Sequence, residues 1–161
     1  MKQPFDSAIS TSQKPTDADI IAPCGMNCGI CRAYIAQRLG VPRVRGKVTY
    51  CAGCVPRAKN CYVKRGCKKL TKHEIQYCYQ CEEMPCEHLA HLDKRYRERY
   101  GMSMVENQKA LKEKGMDEFL KSQEEKYQCP SCGEKVCVHD GKCYGCGYQR
   151  KRSIDGGPIR P

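Results

Sequence analysis

The sequence predicts a small α+β protein in which metal–thiolate sites replace much of the hydrophobic core. Two observations lead to this prediction. Only 24 of the 161 residues are Leu, Ile, Val or Phe, and Trp is absent. This share of about 15% lies below the roughly 20% at which a charged chain is expected to stay disordered. The chain also contains 15 cysteines, and small domains with too little apolar surface are usually held together by metals or disulfides.

Metal binding explains the cysteines better than disulfides do. The cysteine count is odd, and ten of the residues fall into five C-x2-C pairs: Cys28/Cys31, Cys51/Cys54, Cys78/Cys81, Cys129/Cys132 and Cys143/Cys146. Residues 1–22 lack the apolar core of a signal peptide, and no run is long enough to cross a membrane. In a reducing compartment such pairs indicate metal or redox chemistry. We therefore predict a cytoplasmic protein that binds about three zinc ions and has no membrane contact.

Composition divides the chain into five segments. They are a flexible tail, a cysteine-rich metal-binding domain, a helical linker, a zinc-ribbon β-hairpin and a second flexible tail, over residues 1–22, 23–100, 101–127, 128–149 and 150–161. Ten cysteines lie between Cys24 and Cys86, and the other five lie between Cys129 and Cys146. The stretch between these two groups carries helical patterns instead.

Those patterns predict three successive helices. The apolar residues of 87–100 recur at spacings of three or four, as on one face of an amphipathic helix: Leu89, Leu92, Tyr96 and Tyr100. Gly101 is a plausible end for this helix, and the capping-box pattern of residues 103–106 begins the next one. We expect that second helix to break at Gly115 and a third to run from about residue 117 to residue 127.

The strongest motif lies in the C-terminal segment. It is C-x2-C-x10-C-x2-C, with a glycine after each pair, and consists of Cys129, Cys132, Cys143 and Cys146. Two thiolates two residues apart bind one ion when the backbone turns tightly and points N–H groups at the sulfurs, and Gly133 and Gly147 relieve that turn. We predict a zinc ribbon on a β-hairpin, with rubredoxin-like iron as the alternative. Cys137 is expected to pack as a small apolar residue and His139 to be a turn residue.

The ten cysteines of the N-terminal body suffice for two more four-ligand sites. The first joins a pair at the start of the helical stretch CRAYIAQRL to the next pair along the chain: Cys28, Cys31, Cys51 and Cys54. The second takes another pair and two of three neighbours: Cys78 and Cys81, with two of Cys61, Cys67 and Cys86. Cys24 is a spare ligand, a ligand of the second site, or the third ligand of an iron–sulfur cluster. Three histidines are alternative ligands: His73, His88 and His91.

Four stretches of the body have a distinctive arrangement of cysteines. They read PCGMNCGICRAYIA (23–36), CAGC (51–54), CYVKRGC (61–67) and YCYQCEEMPCEHL (77–89). Over roughly residues 23–100 the chain resembles the cysteine-rich domain-of-unknown-function family 3795 of archaea and bacteria, and residues 103–120 with the ribbon are similar to a tail of some members. The resemblance implies a metal-binding cytosolic protein. It implies no catalytic residues, because the family has no established activity.

Charge is distributed unevenly along the chain. The formal net charge is +11, but twelve thiolates and three divalent metal ions would reduce it to about +5. Residues 21–72 contain 12 Lys or Arg and no Asp or Glu, whereas residues 74–125 contain 12 acidic and 8 basic residues. The basic segment 32–72 is a candidate surface for nucleic acid or a protein partner. Its bases can equally balance local thiolate charge, and three tyrosines in it either stack on bases or fill the core: Tyr34, Tyr50 and Tyr62.

Most enzyme classes fit the sequence poorly. Cys24, Cys28 and Cys31 have the C-x3-C-x2-C spacing of radical-SAM enzymes, but Ile30 stands where those enzymes usually have an aromatic residue, and the rest of the chain shows no βα barrel. The ferredoxin pattern C-x2-C-x2-C-x3-C-P is absent. Nothing marks a low-pKa nucleophilic thiol, a phosphate-binding glycine loop or a carboxylate pair. We interpret the chain as a metal-stabilised binding module; the alternative is a redox protein with a 4Fe–4S cluster in its N-terminal domain.

Overall fold

The computed structural model describes residues 17–57 and 61–151. Within these ranges the chain is mostly helical, with five α-helices: α1 Arg32–Leu39, α2 Tyr62–Gly66, α3 Lys68–Thr71, α4 Glu87–Tyr100 and α5 Met104–Tyr127. Short 3-10 helices span Asp17–Ile20, Cys28–Ile30 and Cys78–Gln80. The β structure of the described residues is limited to isolated antiparallel bridges. Of the described helices, none combines the length and the apolar character needed to cross a bilayer.

Helices α4 and α5 begin and end where local sequence signals place them. Gly101 caps the C-terminus of α4 in the left-handed conformation, with φ 64°. The Ser103 hydroxyl caps α5 by accepting a hydrogen bond of 3.1 Å from the backbone N–H of Glu106. Gly115 interrupts α5 with φ 80° and ψ 172°. These findings confirm the predicted helix over 87–100, the cap at residue 103 and the break at Gly115.

Helix α5 packs tightly against the cysteine-rich body through buried amides. Gln108 is fully buried; its Nε2 donates to the carbonyl oxygen of Pro23 (2.9 Å) and its Oε1 accepts from the backbone N–H of Tyr79 (2.7 Å). The backbone N–H of Cys78 also donates to the Pro23 carbonyl oxygen (2.9 Å). These bonds hold the segment around Cys24 against the 3-10 helix that begins at Cys78.

Cysteine thiols form part of the hydrophobic interior. Of the 23 buried apolar residues in the described ranges, six are cysteines: Cys24, Cys28, Cys78, Cys129, Cys137 and Cys143. Ile21 and Ala22, which the sequence analysis placed in the N-terminal tail, are buried as well. Of the residues predicted to be tail, Asp17–Ile20 form a 3-10 helix and Arg150 is buried. Residues 1–16 and 152–161 lie outside the described residues. The thiols thus supplement an interior that has few large apolar side chains.

The continuous β-hairpin predicted for residues 128–149 is not seen. Three isolated antiparallel bridges occur there instead, joining Gln128 to Lys135, Val136 to Cys143 and Lys142 to Gln149. The physical reason is local, because tight turns occupy most of the segment and leave one or two residues between them for pairing. The helices and the group of four ribbon cysteines therefore agree with the predicted architecture. The predicted extended hairpin is replaced by isolated bridges.

Candidate metal centre

The four ribbon cysteines converge on one point. The Sγ atoms of Cys129, Cys132, Cys143 and Cys146 all lie within 4.8 Å of one another. The Sγ atoms of Cys129 and Cys146 are 3.6 Å apart, and those of Cys132 and Cys143 are 3.5 Å apart. Four sulfurs at 2.3 Å from a tetrahedral zinc ion are separated by about 3.8 Å. The predicted ligands are therefore spaced to hold a single metal ion.

Two identical backbone turns present these thiols. In the first turn, the N–H of Gly133 donates to the carbonyl oxygen of Cys129 (2.9 Å), and the Cys129 N–H donates to the carbonyl oxygen of Glu134 (2.6 Å). In the second turn, the N–H of Gly147 donates to the carbonyl oxygen of Cys143, and the Cys143 N–H donates to the carbonyl oxygen of Tyr148, each at 2.8 Å. Both glycines have positive φ, 78° and 81°, a conformation that costs glycine little.

A third turn has the same backbone but a different side chain. The N–H of Gly141 donates to the carbonyl oxygen of Cys137 and the Cys137 N–H donates to that of Lys142, both at 2.9 Å. Asp140 stands where the other two turns have their second cysteine. Its carboxylate accepts from the Lys142 N–H (3.0 Å) and from the Tyr144 hydroxyl (2.6 Å). Cys137 thus has the position in this turn that Cys129 and Cys143 have in theirs. The Asp140 carboxylate, and not a second cysteine, completes the third turn.

Backbone amides prepare one of the ribbon thiols for metal. Burial raises the pKa of Cys129, but the N–H groups of Cys132 and Ser131 and the neighbouring thiols outweigh it and lower that pKa to about 7. The thiolate is the form that binds metal. Cys129 and Cys143 are buried, whereas Cys132 and Cys146 are exposed. The site therefore lies at the edge of the ribbon, where an ion can enter from solvent.

His139 joins the ribbon to the helical body. Its Nδ1 accepts from the backbone N–H of Arg32 (3.4 Å), and its Nε2 lies 3.3 Å from the hydroxyl oxygen of Tyr96. The imidazole also packs edge-on against Tyr100, with 4.9 Å between ring centroids. From the sequence, His139 is expected only to be a turn residue. Its docking role was missed because Arg32 lies 107 residues away along the chain, which no local pattern marks.

The first predicted body site is partly assembled. The backbone N–H of Cys54 donates to Cys28 Sγ (3.4 Å), and hydrogen bonds from the side chain and N–H of Cys54 lower the pKa of Cys28. Cys31 is the N-cap residue of α1. Burial raises its pKa, and the charges of Cys51 and Cys54 add smaller increases. Arg57 donates to Cys51 Sγ (3.1 Å). The two C-x2-C pairs are thus neighbours, as the preferred pairing expects, and their joint ligation remains a prediction.

The remaining body cysteines line two cavities. The larger, of about 570 Å³, is bordered by three thiols, Cys24, Cys54 and Cys61. The smaller, of about 380 Å³, is bordered by four: Cys67, Cys78, Cys81 and Cys86. Burial raises the pKa of Cys24 to about 12 and also raises that of Cys78. His73 lines the larger cavity and His88 the smaller one.

Residues 20–91 match the model of a family described as "Protein of unknown function (DUF3795)". The match confirms the family resemblance of the cysteine-rich body. The ribbon at residues 128–149 lies outside the matched segment. No curated protein and no solved structure matches the chain. The body is therefore similar to a family whose description names no function.

Proposed function

We propose that this protein is a zinc-stabilised binding module of the cytoplasm whose basic surface contacts nucleic acid. The observation that carries the metal part is the group of four ribbon thiols within 4.8 Å of one another. Four protein ligands complete a tetrahedral zinc site and leave no coordination position for a substrate. The ribbon zinc therefore has a structural role. The two C-x2-C pairs at residues 28–31 and 51–54 provide a further set of thiols for zinc.

Elemental analysis of the full-length chain tests the ribbon site. Cys132→Ser and Cys146→Ser should each lose about one zinc ion per chain, because three ligands hold structural zinc poorly. The matched control is Cys137→Ala, which alters the cysteine of the third turn, where a carboxylate takes the place of the second ligand. It should retain its zinc. Equal zinc content in wild-type protein and Cys132→Ser would contradict the proposal.

The nucleic-acid part of the proposal rests on a largely exposed basic loop between α1 and Cys51. An antiparallel bridge between Val44 and Val48 closes it, and the intervening residues, including Arg45 and Lys47, are all exposed. Arg43 at its base is exposed and stacks its guanidinium 4.3 Å above the ring centroid of Tyr50. A compact loop with three cations and no acidic residue suits the phosphate backbone of a nucleic acid.

The exposed residues of this loop favour nucleic acid over an apolar protein surface. Val44, 46% accessible, is the one large apolar side chain that the described residues of this loop expose. A single exposed valine among three cations offers little surface for an apolar contact. Tyr50 donates its hydroxyl to the carbonyl oxygen of Val41 (2.7 Å), so it supports the loop while Arg43 covers its ring. Tyr62, 47% exposed, is the more accessible of these two tyrosines for stacking on a base.

Binding measurements at several salt concentrations test the loop. Arg45→Ala/Lys47→Ala should weaken binding to single-stranded and duplex oligonucleotides. It should also reduce the slope of log affinity against log salt by about 1 to 2, since each lost phosphate contact removes about 0.7 to 0.9. Lys112→Ala/Lys114→Ala on exposed positions of α5 is the matched control for lost charge and should bind like wild type. An equal loss of oligonucleotide affinity in both double variants, or no binding by the wild-type protein at low salt, would contradict nucleic-acid binding by this loop. Either result would favour a protein as its partner.

A further inference from the structure

The smaller cavity of the body is ringed by four thiols from three different parts of the chain. Cys67 precedes the first residue of α3. Cys78 begins the 3-10 helix Cys78–Gln80, and Cys81 follows its last residue. Cys86 is the residue that precedes the first turn of α4. All four border the same space of about 380 Å³. The sequence alone left the partners of Cys78 and Cys81 open among three cysteines; Cys67 and Cys86 share this cavity with them, whereas Cys61 borders the larger one.

We propose that these four cysteines hold an iron–sulfur cluster of the four-cysteine class. The proposal extends the proposed metal-binding function to the helical body and does not depend on the ribbon zinc. The cavity that all four cysteines border carries it. Sulfurs around one zinc ion nearly touch and leave no cavity between them, as in the ribbon. In a 4Fe–4S cluster each cysteine binds a different iron at a separate corner of the cube, so the four thiols surround a larger volume.

The ribbon of the same chain provides an internal comparison. Among the described residues, the ribbon group is the one set of three or more ligand atoms that all lie within 4.8 Å of one another. The four body thiols do not form such a set, although they face one cavity. The chain thus brings one group of four cysteines to the spacing of a single ion and arranges another around a space large enough for a cluster.

The wall of the cavity contains charged side chains of both signs. The ammonium group of Lys69 lies 3.6 Å from Cys81 Sγ. Lys68 also lines the cavity, together with the acidic residues Glu83 and Glu87. The lysine that contacts a thiol directly offsets part of the negative charge that four thiolates bring to one place.

His88 is a second, independent indication of a bound group. Its ring lines the cavity, and its Nδ1 is buried without a hydrogen-bond partner among the described residues. A Cβ placed on Gly66 would lie 2.5 Å from Nε2 of His88, so the ring is packed closely against that glycine. Buried polar atoms in folded proteins are almost always paired, and an unpaired one indicates a missing ligand, water or ion. Sulfides of a cluster accept hydrogen bonds.

Iron and sulfide analysis under exclusion of oxygen tests the proposal. The full-length chain is purified without oxygen, supplied with equal amounts of ferrous and ferric iron and with sulfide, and separated from unbound ions. We expect iron and acid-labile sulfide in equal amounts, with broad visible absorption. Cys81→Ser and Cys67→Ser should each lose most of both. The matched control is Cys61→Ser, which alters a body cysteine of the larger cavity and should keep them. Circular dichroism identifies any variant that fails to fold.

Three results would overturn the assignment. They are a colourless wild-type protein without sulfide, iron that persists in both Cys81→Ser and Cys67→Ser, and zinc in place of iron at these thiols. Cys132→Ser separates this proposal from the ribbon site, because it should lose zinc while keeping iron and sulfide. If Cys132→Ser keeps its zinc and Cys81→Ser loses its iron, the ribbon assignment is wrong and the cluster assignment stands.

Discussion

A single imidazole, His139, links two parts of the chain, and its protonation state decides whether it can do so. Only a neutral histidine can accept the hydrogen bond from the Arg32 N–H at Nδ1 and present an Nε2–H to the Tyr96 hydroxyl. Burial and the charge of Arg32 lower the pKa of His139 below its ordinary value of 6.5. Asp140 has a smaller, opposing effect. Tyr100 completes its surroundings. Protonation removes the acceptor and places a charge in a largely apolar contact.

This geometry predicts that acid weakens the docking of the ribbon. The histidine of the unfolded chain takes up a proton near pH 6.5, before the folded one does, so its contribution is fully present above about that pH and decreases below it. The decrease is at most about 1.4 kcal/mol per pH unit. The free energy of unfolding, measured with denaturant at about pH 7.5 and about pH 5.5, should decrease less between these two pH values for His139→Gln than for wild type. The exposed His91→Gln is the control, and an equal drop in all three proteins would contradict the prediction.

At the scale of elements, helix α5 depends on one glycine. Gly115 has φ 80° and ψ 172°, a combination that is essentially restricted to glycine. It separates a first stretch that carries Leu111 from a second that carries Phe119, and both side chains are buried in the same small cluster with Ile21 and Tyr77. The break therefore redirects the second stretch so that its apolar residue reaches that cluster.

Substitution of this glycine should destabilise the fold without affecting metal content. Gly115→Ala has open space around the new Cβ, since no atom lies within 4 Å of it, so the cost comes from the backbone alone. We expect a loss of about 1 to 3 kcal/mol in the free energy of unfolding, measured by urea titration. Lys114→Ala controls for a neighbouring exposed position. A Gly115→Ala protein as stable as wild type would show that α5 can run straight through residue 115.

Local signals in the sequence predict the elements better than they predict the contacts between them. The cap at Ser103, the stop at Gly101 and the break at Gly115 follow from the conformational preferences of those residues and their immediate neighbours. The contacts of Gln108 with Pro23 and of His139 with Arg32 span 85 and 107 residues, and nothing in either neighbourhood indicates its partner. The ribbon ligands were predictable because metal geometry imposes a fixed spacing; the hairpin was not, because three turns take up its residues.

At the scale of the whole molecule, the ribbon and the body share one interior. The ribbon has a small apolar cluster of its own, made of Cys129, Val136 and Cys143. Val138 of the ribbon and Tyr127 at the end of α5 belong to the main core of the body instead. A ribbon that loses its metal can keep little structure by apolar packing alone, and its unfolding would expose part of that main core.

Metal removal should therefore unfold the whole chain in one transition. Structural zinc contributes about 10 to 16 kcal/mol of apparent binding free energy to such folds, more than the net stability of a typical domain. We expect a chelator, added under reducing and oxygen-free conditions, to abolish the helical circular dichroism signal and the near-ultraviolet tyrosine signal together. Cys132→Ser, which removes only the ribbon site, should already lower the unfolding midpoint. A metal-free protein that retains its helical signal would refute the idea that metals replace the missing core, and loss of the two signals at different chelator concentrations would show that unfolding is not a single transition.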